Sequence, residues 1–207
     1  FKILLYAFII MGMVGGAYYH GTGKPNKKVV KQIEAEVHQK DLDKILALGL
    51  VQPEFMFNNA NSFIDATGKC VEYLNFTTDR ASRVPTSIII AMAGIESAWG
   101  TSRFSVEGNN LFGIRTWDLK SDHMKPKGVK DAKFGLKKYA TKCDSIKDMI
   151  RILNTHRAYT DFRVERAIQL DNGSWDYNKL MDLLHAWSTN PDYAKIILRT
   201  INERELP

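Results

Sequence analysis

Residues 84–115 read VPTSIIIAMAGIESAWGTSRFSVEGNNLFGIR. The run after Pro85 is apolar or small, and no charge stands between Arg83 and Glu96. Pro85 or Thr86 suits a helix start, by preset φ or by capping, and Gly100 suits its end. Ile88, Ile89, Met92, Ile95 and Trp99 fall on one face of such a helix. Ala91, Ala93, Gly94 and Ala98 are small enough to let neighbouring helices approach. The spacing therefore predicts a central, buried helix with one carboxylate, Glu96, in its last turn.

That placement has chemical consequences. The final carbonyls of a helix carry roughly half a negative charge, which disfavours ionisation nearby. Met92, one turn before, and Trp99, three residues after, are placed to crowd the carboxyl and desolvate it. Both effects raise its pKa towards the range in which a carboxylic acid donates a proton near neutrality. A purely structural glutamate here would instead accept backbone hydrogen bonds from the next loop, or pair with Arg103 or Arg115. The GTSRF and GNNLFG segments favour chemistry, because they supply glycines for tight backbone, two adjacent amides (Asn109 and Asn110) and the Ser102 hydroxyl.

Working outward, residues 29–50 repeat apolar positions at helical spacing (Val30, Ile33, Val37, Leu42, Ile45, Leu46), ending at Gly49. Pro53 is read as opening a second helix to about Phe76, with Phe55, Phe63, Ile64, Val71 and Leu74 inward. Residues 77–83 are turn-like. The stretch 116–140, with Pro126, Gly128 and Gly135 and short alternating pieces, is the one that resembles a small sheet. Helices are expected again over about 145–153, 162–170, 177–187 and 192–203, the last introduced by Asn190 and Pro191.

ESAWGTSRF followed by EGNNLFGIR resembles the signature of bacterial glucosaminidase domains, glycoside hydrolase family 73, nearest to its Bax-type branch. The similarity extends back to VPTSIIIAMAGIESAWG and forward through ILNTHRAYTDFRVERA to WSTNPDYAKIILRTINEREL, covering about residues 79–206. It implies a lysozyme-like fold, mainly α with a small β-hairpin lobe, and a cleft between the two. The implied reaction is hydrolysis of the β-1,4 bond after N-acetylglucosamine in peptidoglycan. Carried over by position, Glu96 matches the catalytic acid and Tyr193 a tyrosine at the cleft. Asn109, Asn110, Phe112 and Gly113 match the loop that shapes the site, with Trp99 and Ser102 beside the acid.

Two departures stand out. A second acidic residue is frequent in the family's β lobe, yet the strand leading to Tyr139 reads Phe134-Gly135-Leu136-Lys137-Lys138. Asp131, Asp118 and Asp122 are the substitutes within reach along the sequence. Trp187 stands where tyrosine is usual, keeping an aromatic plane for a sugar and losing a hydroxyl. Without an obvious second carboxylate, the expected mechanism is substrate-assisted, the sugar's own acetamido group attacking and Tyr193 orienting it. Two other readings share the fold. A lytic transglycosylase also uses one glutamate, but Asn-Asn-Leu-Phe-Gly replaces the Gly-Leu-Met-Gln-type stretch of those enzymes. A non-catalytic glycan-binding or assembly subunit is the other.

The remaining features set the context. With 207 residues, 44% hydrophobic, the chain has enough apolar material for one core, so residues 29–207 are expected to form a single domain. Its net charge of +6 favours anionic partners such as cell-wall polymers or membrane surfaces. Residues 1–19 read as a signal peptide or membrane anchor and 20–28 as a linker, which implies an exported, periplasmic protein, anchored to the inner membrane or secreted. The histidines show no HxxxH or HExxH spacing, and no phosphate loop or nucleic-acid module is present, so neither metal, cofactor nor nucleic acid is expected. His156 is expected to hydrogen-bond at a helix end. Cys70 and Cys143 stand too far apart for a CxxC motif, leaving a disulfide in an oxidising compartment or two independent buried thiols.

Overall fold

The central helix forms over Thr86–Ser97, and from Ser87 to Gly94 it is buried on every side: Ile88, Ile89, Ala91, Met92 and Ala93 are each fully inaccessible. A helix apolar all round needs neighbours all round. A computed structural model describes residues 27–47, 49–126, 128 and 132–207. Within it we number the helices α1 (Lys27–Ala47), α2 (Ala60–Thr77), α3 (Thr86–Ser97), α4 (Arg103–Gly108), α5 (Lys142–Thr155), α6 (Thr160–Asn172), α7 (Tyr177–Asp182) and α8 (Tyr193–Glu203). Short 3₁₀ turns lie at Arg80–Ser82 and Arg157–Tyr159. The strands are β1 (Arg115–Thr116), β2 (His123–Met124) and β3 (Gly135–Lys137).

The chain falls into two units, divided between Leu48 and Gly49. The first contributes α1, whose Val29, Ile33 and Val37 are exposed. The second begins at Gly49 and runs to Pro207. The proposed leader and most of the linker lie outside the described residues. Among the described residues no helix is long and apolar enough to cross a membrane.

In the second unit α3 packs against α2 and α8, while α5 packs on α2 and α6. Phe63 and Val71 of α2, Ile146, Met149 and Leu153 of α5, Phe162 of α6, Leu180 of α7 and Ile197 of α8 close the core around it. The helix starts are locally encoded. Asn59 and Ser62 form a capping box for α2, and Thr141 and Asp144 form one for α5. The helix expected from Pro53 begins only at Ala60. Before it, Phe55 and Phe57 turn inward while Glu54 and Met56 stay exposed, the period-two pattern of extended chain. Phe55, Phe57 and Phe63 meet edge to face at 5.3–5.8 Å. The helix expected to reach 187 ends at Asp182 and continues as turns, Leu184 bonding back to Met181 and Trp187 to Leu184.

The β lobe has three strands rather than a simple hairpin. β3 is central, and β1 and β2 both pair with it antiparallel, through Arg115↔Leu136, Thr116↔Gly135, His123↔Lys137 and Met124↔Leu136. β1 and β2 therefore run the same way, and residues 117–122 must carry the chain back along β3. Gly135 is required here, since a Cβ would lie 2.3 Å from the His123 ring. Lys137 and the Tyr139 hydroxyl both reach Asp148 of α5 at 2.7 Å, with Arg151 on its other oxygen, fastening the lobe to the helical body.

Cys70 of α2 and Cys143 of α5, the alternatives left open above, are joined as a disulfide, with their Cα atoms 5.5 Å apart and both residues fully buried.

Candidate active site

α3 ends one residue after Glu96, and the way it ends orients everything around the carboxyl. Ala98, Trp99 and Gly100 take left-handed backbone in succession, at φ 51°, 55° and 85°. Two of the three are not glycine, a conformation that costs of order 1 kcal/mol or more each and is held by its surroundings. The Ala98 and Trp99 N–H groups return to the carbonyls of Ile95 and Gly94, at 3.4 and 2.7 Å. Ser97 Oγ donates to the Ala93 carbonyl at 2.6 Å and accepts the Gly100 N–H at 2.8 Å. The bend throws the Trp99 ring back along its own helix, where a Cβ on Gly94 would lie 2.5 Å from it. Phe63 meets that ring edge to face at 6.0 Å and the Arg204 guanidinium covers it at 4.9 Å.

Gly100 is held as tightly, since a Cβ there would sit 2.5 Å from Phe57 Cζ and 2.8 Å from Phe63 Cδ2. Gly100→Ala combines left-handed strain with a clash against two rigid rings, and is expected to cost about 3 kcal/mol. Chemical denaturation of the two proteins checks it; a loss of less than about 1 kcal/mol would contradict the packing described.

Glu96 itself is half-buried. Burial pushes its pKa up, and the Tyr193 hydroxyl and the Trp187 indole N–H, acting as hydrogen-bond donors towards the carboxyl, pull it part of the way back. Ile95, expected on the buried face, lies exposed next to the acid in the chain. Tyr193, the first residue of α8, is buried, and burial first, then the charge of Glu96, holds its phenol above the usual range. Its hydroxyl meets none of the described residues at ordinary hydrogen-bond geometry, although it interacts with Glu96 electrostatically. Such contacts tighten when substrate fills a site.

Trp187 is fixed by rings on two sides, Phe112 at 6.2 Å edge to face and Tyr159 at 6.2 Å tilted. The hydroxyl lost by having tryptophan here is replaced by another donor, the indole N–H. Tyr159 is buried, its phenol raised by that burial, and it acts electrostatically on Tyr193. Trp187 and Tyr193 thus face the carboxyl, and Phe112 and Tyr159 pack against Trp187. His156 takes the helix-end role expected for it, its Nδ1 accepting the Ala158 N–H at 3.3 Å.

The other residues singled out by sequence do structural work. Ser102 caps α4, accepting the Ser105 N–H at 3.3 Å. Asn109, left-handed at φ 51°, donates to the Tyr139 and Ala140 carbonyls at 3.0 Å and accepts from Lys142 at 3.1 Å. Asn110 spends its amide on the Ile114 and Lys137 carbonyls and its oxygen on the N–H groups of Phe112 and Ile114. Gly113 supplies φ +62° at the exit of this loop. The pair therefore builds the ledge that presents Phe112 to Trp187, in place of contacting a ligand with free amides. Trp99 likewise is committed to packing.

Of the carboxylates named as possible partners, Asp118 accepts the Lys120 N–H at 3.0 Å within its own turn, and exposed Asp122 pairs with Lys138 at 2.8 Å. Asp131 lies outside the described residues. A carboxylate that the sequence did not single out, Asp148, is disfavoured by burial, but hydrogen bonds from Lys137, Tyr139 and Arg151 outweigh this and keep it ionised below the usual range. Among the described residues no cluster of three or more His, Cys, Asp or Glu side chains forms a metal site.

The family model described as mannosyl-glycoprotein endo-beta-N-acetylglucosaminidase matches residues 77–206, more than half of the chain. The chain belongs to the glucosaminidase family. Among its relatives, Protein bax of Escherichia coli (strain K12) is 36% identical over 93 residues, 45% of this chain and 32% of that protein. Exo-glucosaminidase LytG of Bacillus subtilis (strain 168) is 25% identical over 128 residues, 58% of this chain and 44% of that protein. This glucosaminidase-family chain thus spans less than half the length of either relative. The catalytic domain of the autolysin Auto from Listeria monocytogenes superposes with a TM-score of 0.52 at 21% identity, over 81% of this chain and 94% of that one. A peptidoglycan hydrolase from Sphingomonas sp. A1 gives 0.54 at 21%, over 70% and 89%. At that identity these likenesses establish the shared lysozyme-like glucosaminidase fold.

Proposed function

We propose that this glucosaminidase-family protein is a peptidoglycan hydrolase, an endo-β-N-acetylglucosaminidase in which Glu96 is the general acid. The observation that carries the reading is the half-buried Glu96 carboxyl, its pKa raised by desolvation, with Tyr193 and Trp187 turned towards it. The name of the Sphingomonas protein, a peptidoglycan hydrolase, supplies the substrate class by analogy.

In this mechanism Glu96, protonated, gives its proton to the glycosidic oxygen as the bond from the anomeric carbon breaks. The acetamido oxygen of the same N-acetylglucosamine attacks that carbon from the opposite face, forming a cyclic intermediate. Tyr193 orients the acetamido group. Water then opens the ring, its proton passing to the Glu96 carboxylate, which restores the acid and leaves a reducing N-acetylglucosamine end. Substrate assistance is supported by the state of the nearby carboxylates, Asp122 and Asp148 being held by cations and Asp118 by its own turn. The buried disulfide supports a location outside the cytoplasm.

Mass analysis of digested cell wall tests the reaction. Fragments of mixed length with reducing N-acetylglucosamine ends are expected; anhydro-muramic ends would make the enzyme a transglycosylase, and release of single terminal units would make it exo-acting. Joint replacement of Asp118, Asp122 and Asp131 by Asn tests the mechanism. Turnover within about threefold of the parent is expected, and a hundredfold loss in a folded protein would establish a second catalytic carboxylate.

A further inference from the structure

The turn that joins β1 to β2 carries the most exposed tryptophan of the chain. Trp117 is 71% exposed and Leu119 47%, in a segment otherwise polar. The turn is firmly built. The Asp118 N–H bonds to Thr116 Oγ1 at 3.2 Å, its Oδ1 accepts the Lys120 N–H at 3.0 Å, and Ser121 Oγ donates to its carbonyl at 2.7 Å. Trp117 is therefore displayed to solvent on a pre-ordered support, and a partner that stacks on it meets little loss of loop freedom. An indole offers a broad apolar face with a polar edge, the shape that covers the apolar C–H face of a sugar ring.

The turn also follows closely, along the chain, on the loop that packs against Trp187. Phe112, whose ring abuts Trp187 beside Glu96, lies five residues before Trp117. Fully extended, that distance is at most about 18 Å, the reach of a few linked sugars. The geometry points to Trp117 as a stacking platform for a sugar of the glycan strand, some rings away from the bond that is cut at Glu96. This inference rests on the glycan-hydrolase reading above.

The test separates binding from cleavage by using the full chain carrying Glu96→Gln. Its binding to purified sacculi and to a length series of soluble N-acetylglucosamine oligomers is compared with that of the double variant Glu96→Gln/Trp117→Ala. The expected result is affinity that rises with oligomer length in the first protein and much less in the second. On sacculi the double variant should bind roughly three- to tenfold more weakly, with Trp117→Phe restoring most of the loss. An unchanged midpoint of thermal unfolding would accompany it. The same length dependence in both proteins would overturn the platform while leaving the hydrolase reading intact. Failure of Glu96→Gln itself to bind any glycan would overturn both. Trp117-dependent attachment to anionic lipid vesicles, without glycan binding, would assign the indole to a membrane surface instead.

Discussion

Glu96→Gln is expected to lower cell-wall turnover by about a thousandfold or more while leaving the protein folded. Glutamine keeps the shape of the side chain and its capacity to accept from Trp187 and Tyr193, but it has no proton to give to a leaving oxygen. The parent should show a rate that falls as pH rises through the Glu96 pKa, because the acid must be protonated to act. Burial raises that pKa, so the fall should lie above the range of an ordinary carboxylate. Trp187→Phe removes a donor that favours the ionised form, and should move the fall to still higher pH as well as slowing the reaction. Stability follows in the same sense. A group whose folded pKa exceeds its ordinary value, here 4.5, contributes fully below that value and loses its contribution as pH rises through the folded pKa. Gln does not ionise, so the variant should unfold at pH 7 no more easily than the parent. Comparable digestion by the two proteins would remove the catalytic assignment; a lower unfolding midpoint for the variant would remove the account of the environment.

Replacing Cys70 and Cys143 together by Ala is the second large effect expected. The bond closes a loop with a sequence separation of 73. In the chain-entropy description, releasing a loop of that size costs about 4 kcal/mol. For a domain of this size that is a fall in unfolding temperature on the order of 10 °C. Both positions are fully buried between α2 and α5, so each Ala also leaves a small void where sulfur packed. Adding reductant to the parent should reproduce the shift, and calorimetry with and without reductant measures both. A midpoint that moves by less than about 3 °C in either experiment would show that the two helices hold together without the bond. Lost activity in the variant should return when the assay is cooled, since the bond lies in the core and its removal acts through stability.

The legible parts of this molecule are those written in local patterns. The all-apolar run of α3, its stop at Gly100 and the carboxylate between them are visible without coordinates, because helical period and end signals act over a few residues. The extended entry through Phe55 and Phe57 was equally local. Its alternation with Glu54 and Met56 is visible in the sequence, but Pro53 equally suits a first helical turn, and the two local signals compete. The environment of Glu96 is different in kind. Phe112, Tyr159, Trp187 and Tyr193 are brought together by the packing of α8 and the turns after α7 against α3, and no spacing in the chain announces it. The same holds for Asn109 and Asn110, whose adjacency suggested a ligand until their amides were found occupied by backbone carbonyls. The position of the Trp99 ring is not legible from spacing either, because the backbone turns left-handed at Ala98 and Trp99 and the ring lies over Gly94.

The two donors near Glu96 and the cation that covers Trp99 all reside between Trp187 and Arg204, ninety or more positions downstream of the acid. A ribosome must therefore deliver nearly all of this body before the carboxyl acquires its surroundings. A chain that stops short of Trp187 lacks both donors that lower the pKa of this carboxyl, so the environment of Glu96 is completed last.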